Sequence, residues 1–396
     1  MATGPLHRGF GSTIEPSNIF RSPTKGLALD SDQTFAKKLA NQLCYGRSSE
    51  AGKFYGYSGY GYGGWKPEFN VSFGWEEFTV PIYNVEEGHP TRRVYLVAQE
   101  GAEETLRGST VRQNSLELLE VPVPLTKLLP HGQVQAKGTD ATAYIRRPST
   151  DESWQLRRLS QFQEGPLRGE WKATSGHYQA NLSLWNGVCA PETGHCSASS
   201  LSLGVKCITH RDLLRVAYGL PIDHALAMST LVTKEEHRAP AITNDSRTNT
   251  REKLEDNVTP NPAFGSVDAV PEGTWCTFPE GSHASDFGIT RPLGVAAFEA
   301  IRDYGLVVID GAGNCELHIQ DPRSLYTKYG ATVDPFSGPS RSQFEPYINE
   351  GTTAEQRAPY QAALPLDIFA GPINGKGGIL ESFPWRELQL KIAREA

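Results

Sequence analysis

The stretch Thr209 to Met228, T-H-R-D-L-L-R-V-A-Y-G-L-P-I-D-H-A-L-A-M, constrains the fold more than any other part of the chain. Thr209 is placed to cap a first helical turn, and Asp212 three residues on completes a capping-box pattern. Leu213, Leu214 and Ala217 give this helix an apolar side. Gly219 suits a left-handed C-terminal cap, and Pro221 prevents continuation. From Ile222 to Met228 the spacing predicts a buried strand, with Ile222, His224, Leu226 and Met228 on one face and Asp223 on the other. A histidine on an apolar face is either a satisfied core residue or a group turned toward a ligand, and the first is the commoner case.

The design recurs downstream. Thr290 precedes P-L-G-V-A-A-F-E-A-I-R-D-Y-G, where Val295, Phe298 and Ile301 recur at helical spacing and Gly305 supplies the stop. Leu306 to Asp310, L-V-V-I-D, reads as a buried strand. After G-A-G-N, Cys315, Leu317 and Ile319 alternate with Glu316, His318 and Gln320. Short helices of this kind read as covers on a β architecture, not as members of a doubly wound α/β sheet. The 39 glycines, 27 prolines and only 2 methionines point the same way, toward many strands and turns.

Composition also excludes classes of function. A formal charge of -7 argues against a nucleic-acid groove, which needs a basic stripe. G-Y-S-G-Y-G-Y-G-G follows no strand and opens no helix, so it is not a phosphate loop. No apolar run reaches the roughly 18 residues of a membrane span. The start M-A-T-G-P-L-H-R-G-F lacks the apolar core of a signal peptide, so export by the usual route is not expected.

Six cysteines are present: Cys44, Cys189, Cys196, Cys207, Cys276 and Cys315. In C-A-P-E-T-G-H-C and C-I-T-H, the residues Cys189, His195, Cys196, Cys207 and His210 have the chemistry to supply four ligands to a structural zinc. The spacing matches no standard finger or ribbon, and a local Cys189–Cys196 disulfide or buried thiols account for it as well. No other cofactor is expected.

Along the chain, residues 1–68 read as an unpatterned arm, an amphipathic helix from Ser31 to Tyr45 and a Tyr/Gly-rich loop; 69–330 as the β domain; and 331–396 as an irregular segment packing back on it. An arm of this kind orders only against something else, a neighbouring subunit included. The aromatic faces of Tyr57, Tyr60, Tyr62 and Trp65, with Trp154 and Trp185 later, suit sugar rings or a protein partner. Around P-S-T-D-E-S, Thr142 to Arg146 and Trp154 to Leu159 form a hairpin. Residues 234 to 263 read as a long charged loop. In the closing F-P-W-R-E-L-Q-L, the residues Phe383, Trp385 and Leu388 dock on the body.

The runs T-D-A-T-A-Y-I-R-R-P-S-T-D-E-S-W-Q-L, S-A-S-S-L-S-L-G, I-D-H-A-L-A-M, A-P-A-I-T-N-D, P-E-G-T, D-Y-G-L-V-V-I-D and F-P-W-R-E-L-Q follow in a telling order. Over roughly residues 70 to 390 the chain resembles a β-jelly-roll family found in actinobacterial secreted proteins and in tail genes of phages infecting those bacteria. The resemblance implies a laminarinase- or alginate-lyase-like sandwich with a concave, glycan-facing sheet. It also exposes departures. Members read D-G-H where this chain has Asp140, Ala141 and Thr142, and a glutamate where it has Gln155. A glutamine cannot exchange the proton that general acid–base work demands.

The reading that follows is a structural virion component, a minor tail or tail-tip protein, assembled in the host cytoplasm and present in several copies. Its partners are neighbouring tail proteins, reached through the arm, and host cell-wall glycan. An alternative is a glycosidase or lyase acting on cell-wall polysaccharide through His224, Asp245 and Glu272. A lectin-like secreted protein is the third. Asp245, Glu272 and Asp310 also fit ordinary turn positions.

Overall fold

The central sheet of this protein is held between helices on one face and extended chain on the other. The structure, a computed structural model, describes residues 18–45, 71–74, 80–85, 87–96, 117–122, 142–147, 149–189, 197–244, 252, 267–312, 315–320, 368–370 and 378–392. Among them the chain is mainly β, with several sheets and few helices.

The helices are α1 (Thr34–Tyr45), α2 (His210–Ala217) and α3 (Pro292–Asp303). The strands are β1 (Val71–Gly74), β2 (Ile82–Asn84), β3 (Arg92–Leu96), β4 (Glu117–Val121), β5 (Ala143–Arg147), β6 (Glu152–Arg157), β7 (Ser160–Gln161), β8 (Trp171–Ala173) and β9 (Ser175–Gln179). They continue with β10 (Cys207–Ile208), β11 (Leu226–Thr230), β12 (Thr233–His237), β13 (Val270–Glu272), β14 (Trp275–Thr277), β15 (Leu306–Gly311), β16 (Cys315–Ile319) and β17 (Gln389–Leu390). Among the described residues no helix is long and apolar enough to cross a membrane.

The central sheet runs β1-β16-β11-β15-β14-β17, with β10 also paired to β16. β15 and β16 follow one another in sequence, yet β11 lies between them, parallel to β15 and antiparallel to β16. Side chains alternate across each strand, so the sheet has two buried faces. Leu226, Met228, Leu306, Val308 and Leu317 meet the apolar sides of all three helices, together with Phe383, Trp385 and Leu388. There Phe278 stacks on Phe298 at 4.8 Å and Phe383 on Trp385 at 5.1 Å. On the other face Ala225, Ala227, Val307 and Ile309 pack with Leu201, Trp275 and Phe20. α3 also serves as the crossover that returns the chain to β15 beside the parallel β11, a role beyond the cover that its sequence suggests.

The remaining strands form a separate sandwich. Sheets β2-β5-β6-β9 and β4-β3-β8-β7 face each other over Val94, Leu96, Val121, Ile145, Trp154, Leu156 and Trp171. Gly176 of β9 is a point of closest approach. A Cβ there would lie 2.8 Å from Leu119 and 3.1 Å from Leu96, both on the opposing sheet. Two of the sandwich's neighbouring pairs are parallel, β2 with β5 and β3 with β8, and the others are antiparallel. A small two-stranded parallel sheet, β12-β13, completes the inventory of described strands.

The sandwich leaves and returns at one place. β1 and β10 both run parallel to β16, with Gly74 and Cys207 both opposite His318. The strands of residues 69–330 thus divide between two bodies, the sandwich being an insertion at the edge of the central sheet. Sequence periodicity marks each strand but carries no information on which strand it joins. A fourth apolar cluster, containing Tyr144, Trp185, Cys189, Leu203 and Cys207, packs sandwich against sheet. At its edge Gln155 Oε1 accepts the Leu203 N–H at 2.6 Å.

Described segments from both the early and the late part of the sequence belong to the central body. α1 lies in the helix-side core, and β17 is a strand of the sheet. Residues 18–30 run as a strap across the sheet. Ile19 donates its N–H to Asn186, Thr24 to Asp303, and Asp30 to Leu390, while the Leu29 backbone bridges Lys391. Phe20 is wholly buried and stacks on Trp275 at 5.2 Å. Truncating a buried aromatic costs about 3–5 kcal/mol. We expect Phe20→Ala to lower unfolding stability by that amount in urea titration, as a core residue does; an exposed tether would change it by less than about 0.5 kcal/mol.

Candidate functional site

Two features of local sequence bring His224 to its place. Thr209 and Asp212 exchange the expected capping bonds at the start of α2: the Asp212 carboxylate accepts from the Thr209 N–H at 2.9 Å, and the Asp212 N–H donates to Thr209 Oγ1 at 3.3 Å. The helix ends with Gly219 in the left-handed region, φ 73°, and the Leu220 N–H returns to the Arg215 carbonyl. The chain then turns back along α2, so His224 faces Asp212.

The pair is closed off completely. His224 Nε2 lies 3.1 Å from Asp212 Oδ2, and both side chains have 0% exposure. The other ring nitrogen, Nδ1, lies 2.8 Å from the Ala225 carbonyl. A carbonyl and a carboxylate only accept, so both ring nitrogens donate and the ring is an imidazolium. Burial pushes the His224 pKa down, but the facing Asp212 carboxylate outweighs it and the net direction is up. For Asp212, burial pushes the carboxyl up, while His224 and the Thr209 bonds bring the net below the usual range. Asp223, next along, meets Arg215 of α2 at 3.2 Å and Arg21 of the strap at 3.4 Å. His224 is therefore a satisfied core histidine that ties α2 to β11.

The other positions singled out by sequence are not gathered around it. Glu272 is wholly buried in β13, not on an exposed turn. The glycine of its P-E-G-T run, Gly273, has φ 86° and presses on the Arg238 carbonyl. Asp245 lies outside the described residues. Trp154 and Trp185 are turned inward, which removes them as platforms for a sugar ring. Trp154 sits in the sandwich core, and Trp185 stacks on His177 at 5.3 Å while its indole N–H donates to the Val188 carbonyl. Tyr57, Tyr60, Tyr62 and Trp65 lie outside the described residues.

Thr142 and Gln155 do come together. Tyr144 pairs with Gln155 across β5 and β6, which leaves Thr142 diagonal to Gln155 on the same buried face. An ionised glutamate at position 155 would have to be desolvated here, whereas the amide of Gln155 accepts one backbone bond without a charge.

At the proposed zinc cluster, Cys189 is disulfide-bonded and so offers no thiolate, and Cys207 is a free buried thiol. His195 and Cys196 lie outside the described residues, and His210 opens α2. Among the described residues, no group of three or more His, Cys, Asp or Glu is placed to hold a metal ion.

Comparison with protein-family models, with curated proteins and with solved structures finds no match.

One polar row stands out, at the root of the inserted sandwich. Glu316 and His318 share a face of β16, opposite the face of Leu317. Ser229 of β11 pairs with Glu316, and its Oγ lies 3.0 Å from His318 Nε2. His318 Nδ1 lies 3.9 Å from Glu316 Oε2. A register shift between Met228 and Ser229 places Asp310 of β15 opposite Ser229 on the other side, where it binds the buried Lys206 ammonium at 2.9 Å. Such irregularities re-aim side chains. Gly74 leaves room for this row, because a Cβ there would stand 2.9 Å from His318 Nδ1 and 3.1 Å from Glu316 Oε2. The alternation of Glu316 and His318 is visible in the sequence, but the row is not. Ser229 is 89 residues from His318, and only the sheet order joins them.

The buried pair sets a pH dependence. The raised His224 contributes its full stabilisation below its unfolded value of 6.5 and loses it as pH rises through the higher folded value. The lowered Asp212 contributes fully above 3.8 and loses its share as pH falls through the lower folded value. We expect urea unfolding to give a stability plateau between those two unfolded values, falling on either side. Asp212→Asn should flatten the alkaline limb.

Proposed function

We propose that this chain is a structural component of a phage tail, a minor tail or tail-tip protein of a phage infecting actinobacteria, whose β body holds a neighbouring subunit or a host-surface glycan. The observation that carries the reading is the complete burial of His224 against Asp212, with Glu272 buried elsewhere in the central body. Residues that would run glycosidic chemistry are occupied in packing, and hydrolysis needs two carboxylates at a fixed separation around the sugar. The enzyme built on His224, Asp245 and Glu272 has no comparable support.

Other features agree with a holding role. The reading takes the facing four-stranded sheets as its jelly-roll element and as the surface for glycan. Residues 18–30 lie along the body as a strap. A disulfide at Cys189 suits a particle that spends its life outside a reducing cytoplasm, even though it is assembled there.

Purified particles, analysed by mass spectrometry and electron microscopy, test the proposal. We expect the chain in the tail fraction in several copies, at the tail or its tip. A chain never found in particles would overturn it. In parallel, the purified protein incubated with cell-wall arabinan or galactan should release no new reducing ends. Release that disappears in a folded His224→Ala variant would replace the holding role by a cutting one.

A further inference from the structure

The row at the root of the sandwich does nothing for a holding role, yet it carries the ordered chemistry of an acyl-transfer centre. Such a centre needs a hydroxyl nucleophile, an imidazole within hydrogen-bond reach and a third group that orients the imidazole. Ser229 Oγ and His318 Nε2 are 3.0 Å apart, and Glu316 Oε2 stands 3.9 Å from the far ring nitrogen. Without substrate such contacts are often long.

We propose that Ser229, His318 and Glu316 form an esterase site for short-chain carboxylic esters, with Ser229 as nucleophile, His318 as general base and Glu316 as positioning residue. Ser229 and His318 are each 1% exposed, so an ester reaches them only when the seam opens at the solvent end of the row. The row meets solvent at Glu316 and Asp310, whose side chains are 22% and 17% exposed. The site lies where the sandwich departs from the central sheet, and seams between bodies are common places for small-molecule sites. The surrounding run A-M-S-T-L lacks the glycine-flanked elbow of the α/β-hydrolases, so no motif announces the serine.

The chemistry balances without a further reactant. Ser229 Oγ bonds to the acyl carbon while its proton passes to His318 Nε2. The tetrahedral intermediate collapses, the bond from acyl carbon to alkoxy oxygen breaks, and the proton moves from Nε2 to the departing alcohol. Water then yields a proton to Nε2 as its oxygen attacks the acyl-serine. Collapse releases the carboxylic acid and returns the proton to Ser229 Oγ.

The same contacts would also serve a purely structural bond between β11 and β16, and the experiment separates the two. The full chain is treated with a fluorophosphonate probe, followed by intact-mass measurement and peptide mapping, and p-nitrophenyl acetate hydrolysis is followed in parallel. We expect one adduct, mapped to Ser229. Hydrolysis should saturate with substrate and fall by roughly 10²–10⁴-fold in Ser229→Ala and His318→Gln. Glu316→Gln should lower kcat and displace its pH profile while the melting temperature holds, which a structural bond alone would not do. An unlabelled Ser229 in the wild-type chain, or a Ser229→Ala variant hydrolysing at the wild-type rate, overturns the proposal. The labelling arm uses the wild-type chain, so it decides the matter even if a variant fails to fold. Its outcome is independent of whether the chain is found in a tail.

Discussion

A fully buried imidazolium survives only where every one of its donors meets an acceptor, and that requirement at His224 organises the centre of this protein. Desolvating two charges costs several kcal/mol per ion unless geometry and further hydrogen bonds compensate. Here Asp212 accepts from both Thr209 groups as well as from His224, and the Ala225 carbonyl takes the second ring proton. The pair therefore clamps the first turn of α2 to the chain entering β11. Because β11 is the strand between β15 and β16, the clamp also fixes where that split pair opens. On the other side, Asp223 joins Arg21 and Arg215, so strap, helix and sheet meet within three consecutive residues, Asp223 to Ala225.

From that centre the remaining architecture follows by layers. Helices cover one face of the sheet, and the strap through Phe20, with Leu201, covers the other. The sandwich hangs from the β16 edge and is tied back through Gln155 and the cluster around Tyr144 and Leu203. The position that the resemblance marks as an acid is thus a neutral tie between two bodies. The polar residues left over at the seam are Ser229, His318, Glu316, Asp310 and Lys206. His224 is held in the clamp, whereas His318 meets Ser229 at this seam.

Local rules were legible and pairings were not. The 209–212 cap, the Gly219 stop, the hairpin of β5 and β6, the helix before β15 and the docking of Phe383, Trp385 and Leu388 all depend on neighbours in sequence, where propensity and periodicity act. The strand after Pro221 begins only at Leu226, because Ile222 to Ala225 serve the turn and the ion pair first. Trp154 and Trp185 look like binding aromatics in sequence, and only the opposing sheet and the covering segment bury them. Parallel neighbours such as β1 and β16 lie more than 200 residues apart, and no local signal specifies them. The Ser229–His318 bond is of that kind, which is why no motif pointed to it.

The account rests on Asp212 and His224 acting as one structural unit, and a double-mutant cycle measures that directly. Asp212→Asn, His224→Gln and the double variant would be unfolded in urea at a pH inside the stability plateau. If the pair is the clamp described, each single change costs about 3–5 kcal/mol by leaving a buried partner uncompensated. The double variant then costs less than the sum by more than about 0.5 kcal/mol. Additive effects, or single variants as stable as the wild type, would contradict it.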